Sequence, residues 1–242
     1  MEAYDILESI SRGKVAMPVI EGFPAPTLPW LITLLMLALG AGVAVTVGWN
    51  TDKAALVSLM LGVLVLLWDQ QTYSSHRLLA TLLMTYLIFA KSGTAWSVRP
   101  DPGRPSVPWW PQLLMMSQIS VVYLFSALSK MNVIFISGGP LAAWVWIELP
   151  WQFYTVAAAM TVFVELLIAC GLWFPASRRI AVLLGLGLHL SIVTLMNHET
   201  FALLTFSLTC ISLYPLFLFR PRLREARLAT VSGPERSPAT SA

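Results

Sequence analysis

Charge is what this sequence has least of. Only 11% of its 242 residues are Asp, Glu, Lys or Arg, while 57% are hydrophobic. A soluble domain carries about 25% charged residues. With a mean hydropathy of +0.74, the chain reads as a multi-span membrane protein. Metal-ligand patterns are also lacking. The three histidines, His76, His189 and His198, are not at i, i+3 or i+4 spacing, and HExxH and CxxC are absent, so no metal site is expected. Phosphate loops and the GxSxG nucleophile elbow are missing too. The two cysteines, Cys170 and Cys210, both fall in apolar runs and fit buried thiols better than a disulfide. A net charge of +3 gives no footprint for nucleic acid. The first 20 residues mix both signs of charge and lack the apolar core of about 7–15 residues that a signal peptide needs.

What is present is a series of long apolar runs. Residues 30–49, 54–68, 78–90, 112–131, 151–174, 180–196 and 200–219 each read as a span, given a hydrocarbon core of about 30 Å. The run at 54–68 is short for a span. Residues 132–150 are apolar but broken by Gly138, Gly139 and Pro140, which predicts a short re-entrant or interfacial segment. The expected fold is therefore an all-α integral membrane protein, a bundle of about seven transmembrane helices. Residues 1–22 form an interfacial arm, 23–219 the polytopic domain, and 220–242 a basic, then Ser/Pro-rich disordered tail. Ten Trp and six Tyr suit aromatic belts at the two interfaces.

Seven spans put the two chain ends on opposite sides. With the C-terminus in the cytoplasm, that side holds Lys53, Lys91, Arg99, Arg104, Arg178, Arg179 and the five arginines of the tail. The outer side keeps Arg12, Lys14, Arg77 and Lys130. The bias follows the positive-inside rule. It also places His76, Lys130 and the Asn197–His198 turn on one membrane face.

The polar residues inside the spans carry the functional question. Ionisable groups at bilayer depth are functional candidates by default. Tyr123 and Lys130 are seven residues apart, so at about 100° per residue they share one side of a helix that also holds Gln118. Lys130 reads either as a desolvated base or as a lysine snorkelling at a helix end. Glu165 sits mid-span in TVFVELLIACG, either as a reactive acid or as a structural group bonded to another helix, Gln118 being the partner considered. His189 in LGLGLHLSIV relays protons, orients a ligand, or is a satisfied interior histidine. His76 is a site residue or an interface residue, and His198 is the weakest candidate. The GLGL run at 185–188 reads as close helix packing.

The order of these motifs resembles the membrane domain of vitamin K-dependent γ-carboxylases and the HTTM (horizontally transferred transmembrane) proteins that share it. Ser74-Ser75-His76 resembles an Asn-Asn-His before a span. Gln118-Ile119-Ser120-Val121-Val122-Tyr123-Leu124 leading into Ser129-Lys130-Met131-Asn132 resembles Gln-Ile-x-Ile-Val-Tyr-Phe leading into Lys-Lys-Leu-Asp. Gly138 and Gly139, the intramembrane acid Glu165, the next-span His189 and the last span with Phe201 to Leu213 follow in order. The likeness covers about residues 50–218. It implies that Lys130 deprotonates a reduced quinone of the vitamin K or menaquinone type. Oxygen then gives an epoxide and a strong base, which removes a γ-proton from glutamate so that CO₂ adds. It also implies that His76 assists at the quinone or CO₂ site, that Gln118, Tyr123, Glu165 and His189 form the pocket, and that the protein sits in a bacterial plasma membrane. The chain departs from the pattern at Ser129 and Ser74-Ser75, and it lacks the large soluble domain of carboxylases, so the expected acceptor is a small peptide or a lipid.

Two classes of function remain open on this reading. One is a quinone-dependent membrane enzyme at the outer face. The other is a non-catalytic membrane subunit, scaffold or immunity protein. A solute transporter is disfavoured by the lack of an internal repeat. The orientation is checked by reporter fusions. A fluorescent protein joined after Ala242 is expected to fluoresce and a periplasmic phosphatase at the same place to stay inactive; the reverse pattern would invert the topology.

Overall fold

The computed structural model of the chain describes residues 18–20, 27–70, 73–90, 92, 98, 108–196 and 200–219. The remainder of the expected N-terminal arm, the tail, most of the 91–107 loop and the Asn197-His198-Glu199 turn lie outside the described residues. Among the described residues there are nine helices: α1 Leu28–Val47, α2 Thr51–Trp68, α3 Ser75–Ala90, α4 Trp109–Lys130, α5 Val133–Ile136, α6 Gly139–Trp144, α7 Trp151–Gly171, α8 Arg178–Leu195 and α9 Thr200–Leu218. Their one strand-like contact is an isolated antiparallel bridge between Val145 and Met196.

Five helices, α1, α2, α4, α7 and α8, are long and apolar enough to cross a membrane. Among the described residues, five of the seven expected spans thus meet the full length. The other two, α3 with 16 residues and the Ala202–Leu218 stretch of α9, are apolar but shorter. Sixteen residues rise about 24 Å, less than the hydrocarbon thickness of about 30 Å. The 54–68 run gains length because α2 starts at Thr51, with Asp52 in its first turn favouring the positive helix end.

Local sequence sets the boundaries. Pro29 opens α1, where a missing N–H costs nothing. Gly48 closes it in the left-handed region at φ 77°, its N–H bonding back to Ala44 and Val45. Asn50, at φ 44°, then begins α2. At the end of α7 the basic turn does structural work as well as topological. Arg178 donates from Nε to the Leu172 carbonyl at 3.1 Å, and Ser177 Oγ donates to the Gly171 carbonyl at 3.0 Å, satisfying carbonyls the helix leaves open.

Two apolar cores stack along the bundle. The larger joins Leu79 and Leu83 of α3, Met116 and Ile119 of α4, Ile168 of α7 with Leu172 just past its end, Ala181 of α8 and Phe217 of α9. The smaller joins Ala127 of α4 with Phe135, Leu141, Tyr154, Ala158 and Val162. Helices α1 and α2 form a peripheral hairpin: α1 packs on α2, and α2 on α3. The expected re-entrant segment proves to be α5, α6 and an extended strap. Tyr154 pins the strap by donating its hydroxyl to the Ile147 carbonyl and accepting from the Leu149 N–H. Trp146 ties it to α8 by donating its indole N–H to the Thr194 carbonyl at 2.8 Å.

Gly138 lets α5 and α6 approach α7. Its φ is +85°, and an added Cβ would lie 2.6 Å from the Thr155 nitrogen. Gly138→Ala combines backbone strain with a backbone overlap and is expected to lower stability by about 1–3 kcal/mol. Gly187, with nothing within 4 Å of an added Cβ, is the control. Thermal unfolding in detergent should show a lowered Tm for Gly138→Ala and an unchanged or raised Tm for Gly187→Ala. Equal Tm values would mean that α5 and α6 do not need this approach.

Candidate functional site

Helices α4 and α7 pack against each other, and three polar side chains meet between them. Lys130, the last residue of α4, donates from Nζ to Glu165 Oε1 at 2.5 Å and to Ser126 Oγ at 2.6 Å. Ser126 donates its own hydroxyl to the same Oε1 at 3.0 Å. The spacing of Ser126 and Lys130 explains their cooperation, since residues four apart share a helix face. Lys130 Nζ also lies 5.9 Å from the centroid of the Phe135 ring, within cation–π reach. The Lys130 side chain is 25% exposed and that of Glu165 only 4%.

The ends of the two helices are out of step, and this decides how Lys130 is read. Glu165 is 14 residues past the first residue of α7, a rise of about 21 Å. A lysine that ends its helix there is not at the end of the bundle. The space beyond it is filled by α5 and α6, which pack on α7. Snorkelling thus gives way to a specific ion pair. Glu165 Oε2 is buried and has no hydrogen-bond partner. A carboxylate oxygen buried without a donor is costly, so this atom is the point of the cluster best suited to a further donor.

A second polar chain lies on the other side of Tyr123, three residues before Ser126. The Tyr123 hydroxyl is 2.7 Å from His189 Nε2 and 2.5 Å from the Tyr214 hydroxyl. His189 Nδ1 is 3.1 Å from Ser207 Oγ. All four residues are buried, and together they join α4, α8 and α9. Two proton arrangements make the three links and also give the Tyr123 proton an acceptor. Either Ser207 donates to Nδ1, Nε2–H to Tyr123 and Tyr123 to Tyr214, or every donor is reversed. Gly185 makes room for this chain: an added Cβ there would lie 2.7 Å from Tyr214 Cζ and overlap its hydroxyl. The close packing expected of the 185–188 run is therefore with Tyr214.

The expected site residues thus separate into groups. Lys130 and Glu165 are brought together, and so are Tyr123 and His189. Glu165 takes Ser126 and Lys130 as partners rather than Gln118. Gln118 is half-buried, and its side chain holds no hydrogen bond among the described residues. His76 lies in the first turn of α3, with Nε2 3.1 Å from Ser74 Oγ, and is bonded to neither pair. Ser126, Tyr214 and Ser207 were not anticipated. The signal for Ser126 was its i, i+4 spacing to Lys130. Tyr214 and Ser207 showed only as polar residues in an apolar run. No cluster of three or more metal-ligating side chains exists among the described residues.

The ion pair is tested by a mutant cycle. Glu165→Gln or Lys130→Met alone leaves an uncompensated polar group and is expected to lower stability by up to about 3–5 kcal/mol. Lys130→Met with Glu165→Leu should recover most of that loss. Additive losses in chemical unfolding would mean that the two side chains are not coupled.

The family comparison agrees with this architecture. The HTTM domain matches residues 8–221, most of the chain. No curated protein and no solved structure matches it. With an all-helical bundle rich in membrane-length helices and a family match over almost its whole length, the chain belongs to the HTTM domain family.

Proposed function

We propose that this membrane protein is a quinone-linked enzyme whose reaction centre is the Lys130–Glu165–Ser126 cluster. The observation that carries the reading is the buried, unpartnered Glu165 Oε2 beside an ammonium-bonded Oε1. A reduced quinone of the vitamin K or menaquinone type has a phenolic O–H, the kind of donor this oxygen lacks. Glu165 through Oε2 and Lys130 through Nζ are the residues that would hold it, with Phe135 flanking. When bound, the hydroquinone supplies the electrons for oxygen chemistry, which in the carboxylases that this sequence resembles drives carboxylation of glutamate.

The protein's part is proton handling. Glu165 Oε2 would accept the phenolic proton, while Lys130 Nζ and Ser126 hold Oε1 by donating to it. The partial exposure of Lys130 keeps one side of the pair reachable. The acceptor is a small peptide or a lipid on the same face. His76, bonded to Ser74, takes no proton step in this reading.

A second reading has its own support. Tyr123, His189, Tyr214 and Ser207 satisfy one another, as in a scaffold that keeps the fold without the reaction. The two are separated by adding reduced menaquinone or vitamin K with oxygen to protein purified in detergent and following epoxide. The enzyme reading expects turnover that falls about 10²–10⁴-fold in Lys130→Ala and in Glu165→Gln, the usual worth of a positioned acid or base. Absence of turnover in the wild type, or turnover indifferent to Lys130→Ala, would favour the scaffold.

A further inference from the structure

A cavity of about 410 Å³ lies between α1, α2 and α3, away from the Lys130–Glu165 pair. The volume falls in the range of about 300–1,000 Å³ typical of small-molecule sites. Its place follows from the sequence of the α1–α2 hairpin. The buried residues of these helices, Ala41, Ala44, Thr51, Ala54 and Ala55, all gather beside their shared turn. Small side chains let the helices close there. Beyond that seam the walls are branched and apolar, with Leu31 and Leu35 from α1 and Leu61 and Val65 from α2. Because α1 packs mainly on α2 and much of its surface is exposed apolar side chain, this wall faces lipid.

One residue breaks the apolar lining with charge. Arg77, in the first turn of α3, lines the cavity together with Trp68, the last residue of α2. No Asp or Glu is among the lining residues. Helix ends carrying Arg and Trp belong at the level of lipid headgroups. A guanidinium presents five N–H donors in a planar fork that matches phosphate, so it can take a phosphate whatever else it bonds. Leu31 to Ala38 along α1 give the apolar wall a length of about 10 Å.

We propose that this groove binds one anionic phospholipid of the leaflet in which Arg77 lies. Its phosphate sits on the Arg77 guanidinium and one acyl chain lies along the α1 and α2 walls. An uncharged quinone would fill the walls but offer the guanidinium fork no anion; the groove lies between α1, α2 and α3, so the site is distinct from the proposed reaction centre and does not depend on it.

The test is native mass spectrometry of the full chain released from detergent, with phosphatidylglycerol or phosphatidylcholine of the same acyl composition added. Wild type should retain one phosphatidylglycerol at activation energies that strip phosphatidylcholine. Arg77→Gln should weaken that retention about tenfold or more, as expected for losing a charge-assisted bond, and Arg77→Lys should restore part of it. Ala38→Phe fills the groove without touching the cation, so it tests the site even if Arg77→Gln fails to fold; it should displace the lipid while circular dichroism stays unchanged. Equal retention of both lipids, or retention unchanged in a folded Ala38→Phe, would overturn the proposal.

Discussion

The ion pair between Lys130 and Glu165 is the constraint around which the helical core is arranged. On α4 the polar group Ser126 lies between Tyr123, which belongs to the larger core, and Ala127, which belongs to the smaller. On α7 Glu165 lies between Val162 of the smaller core and Ile168 of the larger. The pair is thus a polar seam between two apolar blocks. Charges in such a place cost several kcal/mol to desolvate unless each finds a partner with good geometry. Sliding α4 along α7 by one turn would part Nζ from Oε1 and expose that cost. The seam therefore fixes the register of the two helices. The same register is held further along by the Trp173 indole, which donates to Ser120 Oγ at 2.7 Å.

The chain of Tyr123, His189, Tyr214 and Ser207 does for α4, α8 and α9 what the ion pair does for α4 and α7. In lipid, apolar contacts alone give weak orientation, because acyl chains are as apolar as leucine. Hydrogen bonds between helices restrict rotation, and the chain has one fitted to each of three helices. Its formation depends on Gly185, whose missing side chain is occupied by the Tyr214 hydroxyl. Polar side chains, rather than the leucines around them, thus define which faces of these helices meet.

The helices were largely legible in the sequence because apolar runs are the strongest signal a membrane chain has. Where the reading fell short, polar residues had joined a helix. Thr51, Asp52 and Lys53 precede the apolar run at 54–68 but form the first turn of α2, and Ser75, His76 and Arg77, ahead of the run at 78–90, open α3. The site was half legible. Lys130, Glu165, Tyr123 and His189 were all singled out as costly polar groups. Their pairing was not, because 35 residues separate Lys130 from Glu165 and two short helices intervene. Gln118 looked equally able to reach Glu165; the register of α4 on α7 decides for Ser126 and Lys130. Tyr214 was hidden because a tyrosine in an apolar run is as common at an interface as in a buried network.

Helix α3 separates two different environments. On one side it packs on α4, and through α4 the bundle reaches the polar seam; on the other it packs on α2, which carries the peripheral hairpin. The first turn of α3 places His76 and Arg77 in sequence, and neighbouring residues on a helix point about 100° apart. Arg77 lines the lipid-facing groove and His76 does not. A single helix start can therefore direct a cation to the lipid side while its neighbour turns elsewhere. The sequence motif around His76 then reads as two adjacent features with separate surroundings. That is why the convergence of His76 on Lys130, expected from their shared membrane face, does not follow from sharing that face alone: sidedness fixes depth, whereas contact needs the helix rotation that the hydrogen bonds of α4, α7, α8 and α9 impose.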